Sequence, residues 1–196
     1  MNSLIGSCFR LAVVGAVLLV GAVEARAQCA NTGGGPPTPT AMLMAKTSLL
    51  RVGASWGDGN DRLKAGKGLF AATTPIDPIT THNIHITLRK NGDSGPLVFA
   101  TTLPVGSFWS PSGPNFIYND PASTFGIRRL ILRDVGSGFY GITRLVGRNL
   151  SLTNMPLAPG NTLHLMIEIE SGGAGDCFAD DLLACSYGAA SQTCSF

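Results

Sequence analysis

The sequence predicts an all-β fold: a single antiparallel β-sandwich, immunoglobulin-like or jelly-roll-like, with a disulfide-stapled C-terminal segment. Three observations predict it. Short apolar runs alternate with period two, as in Asn83 to Arg89, where Ile84, Ile86 and Leu88 share one face and His85 and Thr87 the other. Turn residues separate these runs at intervals of about 8–12 positions. No segment sustains an apolar stripe at the 3.6-residue period of a helix.

The first 27 residues stand apart from that pattern. Arg10 precedes the apolar run Leu11 to Val23, and Ala25-Arg26-Ala27 follows it. This order of charge, apolar stretch and small-x-small site predicts a secretory signal peptide cut after Ala27. The run is 13 residues long, short of the roughly 20 a membrane-spanning helix needs. The expected location is therefore secreted or periplasmic, with no transmembrane anchor after processing. Gln28 and Arg26 lie one and three positions before Cys29. They are unsuited to a lipoprotein cut, so Cys29 reads as an ordinary exported cysteine.

Residues 28–40 are a Gly/Pro-rich linker, and residues 41–196 are the expected sandwich domain. Within it, strands are expected over Met42 to Val52, Arg62 to Phe70 and Asn83 to Arg89. Asn91-Gly92 marks a hairpin because both residues tolerate positive φ, and Leu97 to Thr102 is the return strand. Phe116 to Tyr118, Ile127 to Arg133, Phe139 to Val146, Leu150 to Leu152 and Thr162 to Ile169 follow. The stretch Cys177 to Cys185 fits either a helical turn or a strand.

Composition narrows the partners. The chain carries 14 basic and 12 acidic residues, a formal net charge of +2. Loss of Arg10, Glu24 and Arg26 with the signal peptide leaves it closer to neutral. There is no basic excess to hold a phosphate backbone, so no nucleic-acid partner is predicted. The expected partner is a glycan or protein of the cell envelope.

Cys8 leaves with the signal peptide, and Cys29, Cys177, Cys185 and Cys194 remain. An even number in an exported chain predicts disulfides. Either one bridge joins the two ends of the domain or Cys29 stays unpaired. Spacings of 8 and 9 between the last three are not those of a zinc site, and neither metal nor cofactor is predicted.

Few constellations carry chemistry. Gly92-Asp93-Ser94-Gly95-Pro96 resembles a serine-protease nucleophile motif. It lacks one glycine, however, and its nearest histidine, His85, lies on the same hairpin, so a turn is expected. Gly57-Asp58-Gly59-Asn60-Asp61-Arg62-Leu63 matches one unit of a calcium-binding nonapeptide repeat, but a lone copy supplies too few oxygens. His82, His85 and His164 are expected at solvent-facing or edge positions. Asp180-Asp181 supplies two carboxylates whose side chains point apart on a strand. A glycan platform is a separate possibility: Trp109, in a Pro/Gly-bounded loop, with Phe116 and Tyr118. The alternative is that these rings seal one end of the core.

Two segments echo each other. Gly66 precedes Pro75-Ile76-Asp77-Pro78 and a strand, and Gly147 precedes Pro156-Leu157-Ala158-Pro159 and another, with the same Gly-to-Pro spacing. Two strand–loop–strand units related in this way suit a sandwich.

Several further motifs carry a resemblance. They are Asn60-Asp61-Arg62-Leu63-Lys64, Asp77-Pro78-Ile79-Thr80, the turn from Leu103 to Phe108, the run from Gly126 to Leu132, and Gly175-Asp176-Cys177-Phe178. Together they resemble a set of uncharacterised secreted bacterial β-sandwich proteins, over most of the chain beyond the signal peptide. The resemblance implies a β-sandwich module and no reaction. The chain departs from it at Lys64-Ala65-Gly66-Lys67-Gly68, which adds a residue and is expected to alter only local register. The functional expectation is a non-catalytic binding or structural module of the envelope or exterior. The alternatives are a glycan binder using the Trp109 loop, and a hydrolase using Ser94 or Asp180 and Asp181.

Overall fold

The computed structural model describes residues 40–195, apart from 73, 172–173 and 183. Thirteen strands follow one another: β1 (Thr40–Ala41), β2 (Leu43–Leu50), β3 (Asp61–Ala71), β4 (Asn83–Lys90), β5 (Leu97–Leu103), β6 (Trp109–Ser112), β7 (Asn115–Asn119), β8 (Ile127–Gly136), β9 (Phe139–Leu150), β10 (Leu163–Ser171), β11 (Ala174–Leu182), β12 (Ala184–Tyr187) and β13 (Ser191–Ser195). They form a five-stranded sheet, β1-β11-β10-β4-β5, and an eight-stranded sheet, β12-β13-β2-β3-β9-β8-β7-β6. The short β1 runs parallel to β11, and the other pairings are antiparallel. Among the described residues, no helix is long and apolar enough to cross a membrane.

Alternation builds the core. Ile84, Ile86 and Leu88 of β4 and Leu163, Leu165, Ile167 and Ile169 of β10 face inward, each at most 3% exposed. They share one buried cluster with Leu63, Phe70, Leu130, Ile142 and Leu145 of the other sheet. Phe70 on β3 and Phe178 on β11 meet across the two layers with ring centroids 4.2 Å apart. Burying one such ring fully contributes about 1.5–3 kcal/mol.

The long strands cannot keep one alternation throughout. Asp61, Leu63 and Ala65 point inward on β3, and so do Gly68 and Phe70, with Gly66 and Lys67 together in the gap. On β9 the same change falls at Thr143-Arg144, and on β2 at Ala45-Lys46. The pairs Ala65–Leu145 and Gly68–Ile142 bracket this crease. Lys67 adopts a left-handed φ of 59° there, a conformation that is unfavourable for a residue with a Cβ. The segment Lys64-Ala65-Gly66-Lys67-Gly68 thus carries a crease that runs across three strands.

The echoed segments become two neighbouring crossovers. β3 leads to β4 and β9 leads to β10, each from the eight-stranded sheet to the five-stranded one, and β3 pairs with β9 as β4 pairs with β10. In each connecting loop one apolar residue between prolines plugs the core: Ile76 at 3% exposure and Leu157 at 2%. Each plug gives its N–H to a buried side chain. Ile76 donates to the Tyr140 hydroxyl at 2.9 Å, and Leu157 to Gln192 Oε1 at 2.8 Å. Gln192 Nε2 donates back to the Leu157 carbonyl at 3.0 Å.

Some elements differ from expectation. Trp109–Ser112, expected as loop, is a strand because it pairs with β7. The ambiguous stretch after Cys177 is strand because β10 offers a full edge to β11. Leu150 ends β9 and does not begin a separate strand, since the Leu152 N–H turns away to the Asp61 carboxylate at 3.1 Å. Cys185 and Cys194 face each other across the β12–β13 hairpin and form a disulfide. Closing so short a loop stabilises by about 2–3 kcal/mol in the chain-entropy model. Cys29 and the side chain of Cys177 lie outside the described residues, as do the segment expected as a signal peptide and the expected linker up to residue 39, whereas its last residue, Thr40, belongs to β1.

The Gly92–Pro96 segment is a tight hairpin turn, in which Gly95 N–H donates to the Gly92 carbonyl at 3.1 Å. A Cβ on Gly95 would lie 1.7 Å from the Lys90 carbonyl oxygen. Gly95→Ala is therefore expected to destabilise the fold by about 1–3 kcal/mol in urea denaturation. Asp93→Ala, in the same turn, is expected to stay within about 0.5 kcal/mol of the parent.

Candidate functional site

The outer face of the eight-stranded sheet gathers most of the chain's cations. The inward alternation of β3 leaves Arg62 and Lys64 pointing out, and that of β9 leaves Arg148 exposed. Leu63 pairs with Gly147, which pairs with Ile127, so Arg62, Arg148 and Arg128 follow one another across β3, β9 and β8. The next positions carry Lys64 beside Val146 and Arg129. Lys46, Lys67, Arg144 and Arg133 continue along the same four strands and are exposed.

These four strands hold nine basic and two acidic residues. Asp61 is fully buried, and Asp134 is the one exposed acid among them, accepting the Gly136 N–H at 2.7 Å beside Arg133. Among the described residues none of the nine makes an ion pair. The Arg128 guanidinium, then slight desolvation and Arg62, hold the Arg148 pKa below the ordinary arginine value. Clustered, uncompensated guanidiniums of this kind suit phosphate, sulfate or carboxylate groups, which they grip through paired N–H donors. By contrast, β10 and β11 carry five acidic residues and neither lysine nor arginine.

The aromatic residues read as a platform are placed differently. Trp109 is 6% exposed and Tyr118 0%. They sit opposite each other on β6 and β7, both turned inward, with ring centroids 5.2 Å apart. Trp109 Nε1 donates to the Pro104 carbonyl at 3.1 Å. Burial, followed by the charge of Asp120, pushes the Tyr118 phenol well above its usual pKa. Phe116 is half-buried and packs against the core. The three rings therefore close one end of the sandwich and offer no open platform, because cross-strand pairing of Trp109 with Tyr118 directs both inward.

The remaining candidates are scattered. Ser94 lies in the turn beyond β4, while His85 lies mid-strand, where its ring nitrogens meet Thr102 Oγ1 at 2.8 Å and Glu170 Oε2 at 2.7 Å. His82 and His164 are buried, contrary to the expected edge positions. His82 Nδ1 accepts the Asp77 N–H at 3.0 Å inside a loop that Asp77 itself caps. In the calcium-like turn, Asp61 Oδ2 accepts the N–H groups of Gly57 and Leu152, and Asp58 Oδ1 that of Asn60. These carboxylates hold the backbone of two loops together. The side chains of Asp180 and Asp181 lie outside the described residues.

Sequence reasoning missed Glu168 and Glu170, although Glu168-Ile169-Glu170 places both on one face. Glu168 is 6% exposed, and burial followed by the nearby Glu170 raises its pKa. The His85 hydrogen bond, then that of Asn83, holds Glu170 below the ordinary value of 4.5. A cleft of about 450 Å³ lies elsewhere, between β5 and the segments around Phe125 and Asn149. Neither Glu168 nor Glu170 nor His85 lines it.

Two predictions follow from these placements. Trp109→Ala is expected to cost about 3–5 kcal/mol in denaturant midpoint analysis, as removal of a core aromatic does; an unchanged midpoint would contradict burial. The two glutamates should act with opposite sign. A depressed carboxylate contributes stability above its unfolded pKa and loses it as pH falls, so Glu170→Gln lowers the melting temperature at pH 7. A raised one costs stability as pH rises past its unfolded value, so Glu168→Gln raises it. Both differences are expected to fade below the ordinary carboxylate value of 4.5.

No protein-family model, curated protein or solved structure matches the chain.

Proposed function

We propose that this chain is a non-catalytic binding module of the cell envelope or exterior, and that it binds anionic groups through the outer face of its eight-stranded sheet. The observation carrying the reading is the uncompensated charge of that face, nine basic residues on β2, β3, β8 and β9 without an ion pair among the described residues. The cations are spread over an open sheet, not gathered in a cavity. A surface of that shape suits a ligand whose anionic groups repeat in space, such as an acidic envelope polymer or a charged surface.

Two further features support the reading. The first 27 residues have the order of a secretory signal peptide, and the Cys185–Cys194 disulfide is compatible with an oxidising compartment. Acidic residues concentrate on β10 and β11, so overall charge stays small while the two sheets differ in sign. A partner of negative charge would approach the eight-stranded side.

Binding to soluble heparin, a flexible sulfated polyanion, tests the proposal. The parent protein is expected to bind at low ionic strength and to weaken as salt rises, because exposed charges are screened over about 8 Å at physiological salt. Arg62→Glu combined with Arg148→Glu is expected to weaken binding roughly ten-fold or more and to flatten the salt dependence. Equal binding by parent and variant, or no binding by either, would sink the reading.

A further inference from the structure

One end of the same sheet face changes from cationic to apolar. Leu43 on β2 pairs with Leu69 on β3, and both point away from the core at 54% and 42% exposure. Leu69 pairs in turn with Gly141, and the next position outward pairs Ala71 with Phe139, which is 45% exposed. Val135, at 52%, sits in the irregular stretch of β8 beside Phe139. Four large apolar side chains thus lie together at the β8–β9 hairpin end of the sheet.

This patch is not isolated from the charged surface. Arg133 pairs with Gly141 and borders it on one side, and Lys67 precedes it on β3. An apolar tip bordered by Arg133 and Lys67, with Asp134 the one exposed acid beside it, and continuous with a cationic sheet face has the polarity profile of a membrane–water interface. Apolar side chains enter the acyl boundary while lysine and arginine stay among the anionic headgroups. A soluble polyanion would satisfy the cations and leave the four apolar residues in water. A second copy of the chain would bring like-charged fields together.

We infer that the anionic partner of this face is a lipid surface, and that the Leu43–Leu69–Phe139–Val135 tip inserts into it. This inference rests on the anion-binding reading above and names its source of negative charge.

The experiment compares sedimentation with vesicles of phosphatidylcholine containing phosphatidylglycerol, and with vesicles of phosphatidylcholine alone. The variants are Leu69→Ser with Phe139→Ser, and Arg62→Glu with Arg148→Glu. The apolar segment 11–23 is common to every protein compared. The serine pair is expected to lose roughly ten-fold in affinity for the anionic vesicles while keeping parental heparin binding. The glutamate pair is expected to lose both. Phe139→Trp adds a direct reading of depth, since lipid brominated along its acyl chains should quench the new emission. Because the four residues are exposed, serine there leaves the core intact, and matching thermal midpoints verify it. Parental vesicle binding by the serine pair overturns the insertion. Heparin binding without vesicle binding by the parent overturns the lipid inference and leaves the anion-binding face standing. Failure of both overturns the two together.

Discussion

The structure depends on keeping apolar side chains inward along strands too long for a single alternation. In β3 a one-residue slip would exchange Leu63 and Ala65 for Arg62 and Lys64 at the core. The crease at Gly66-Lys67, matched at Thr143-Arg144 and Ala45-Lys46, resets the alternation without losing the pairing. Both halves of the sheet then bury an apolar face. The same reset determines the outer face. It leaves most of the cations on one half and Leu43, Leu69 and Phe139, bordered by Arg133, on the other.

Closure of the sandwich relies on a few buried polar side chains that satisfy loop backbone. Tyr140 and Gln192 hold the Ile76 and Leu157 plugs, and Asp61 joins the Gly57 turn to Leu152. Asp120 accepts the N–H of Ala122 at 3.1 Å and also that of Thr124. An unsatisfied buried N–H costs about 1–3 kcal/mol, so these contacts let the loops leave and re-enter the core with those N–H groups satisfied. They also account for carboxylates that a motif search assigns to metal binding.

The cationic face carries an energetic consequence of its own. Like charges on neighbouring strands repel, which weakens the compact state. On the proposed reading a bound anion would relieve that repulsion and couple ligand binding to folding stability. The aromatic cluster at the other end of the eight-stranded sheet does the opposite work: Trp109 meets Tyr118 and Phe108 meets Phe125 edge to face, Phe108 leans tilted against Tyr118, and together they seal β6 and β7.

The sequence by itself determined the all-β class, most strand positions and the Gly92–Pro96 hairpin, because these follow from local alternation and turn chemistry. It also showed the echoed Pro-x-x-Pro segments, whose spacing survives folding. It could not place Trp109, which reads as loop until β7 supplies its partner, nor choose strand over helix after Cys177. Least of all could it reveal the cationic face. Net charge sums over the whole chain, whereas a sheet sorts residues by strand order and by side. Arg62, Arg128 and Arg148 are far apart along the chain and become neighbours only when β3, β9 and β8 pair, so that charge pattern belongs to the tertiary structure alone.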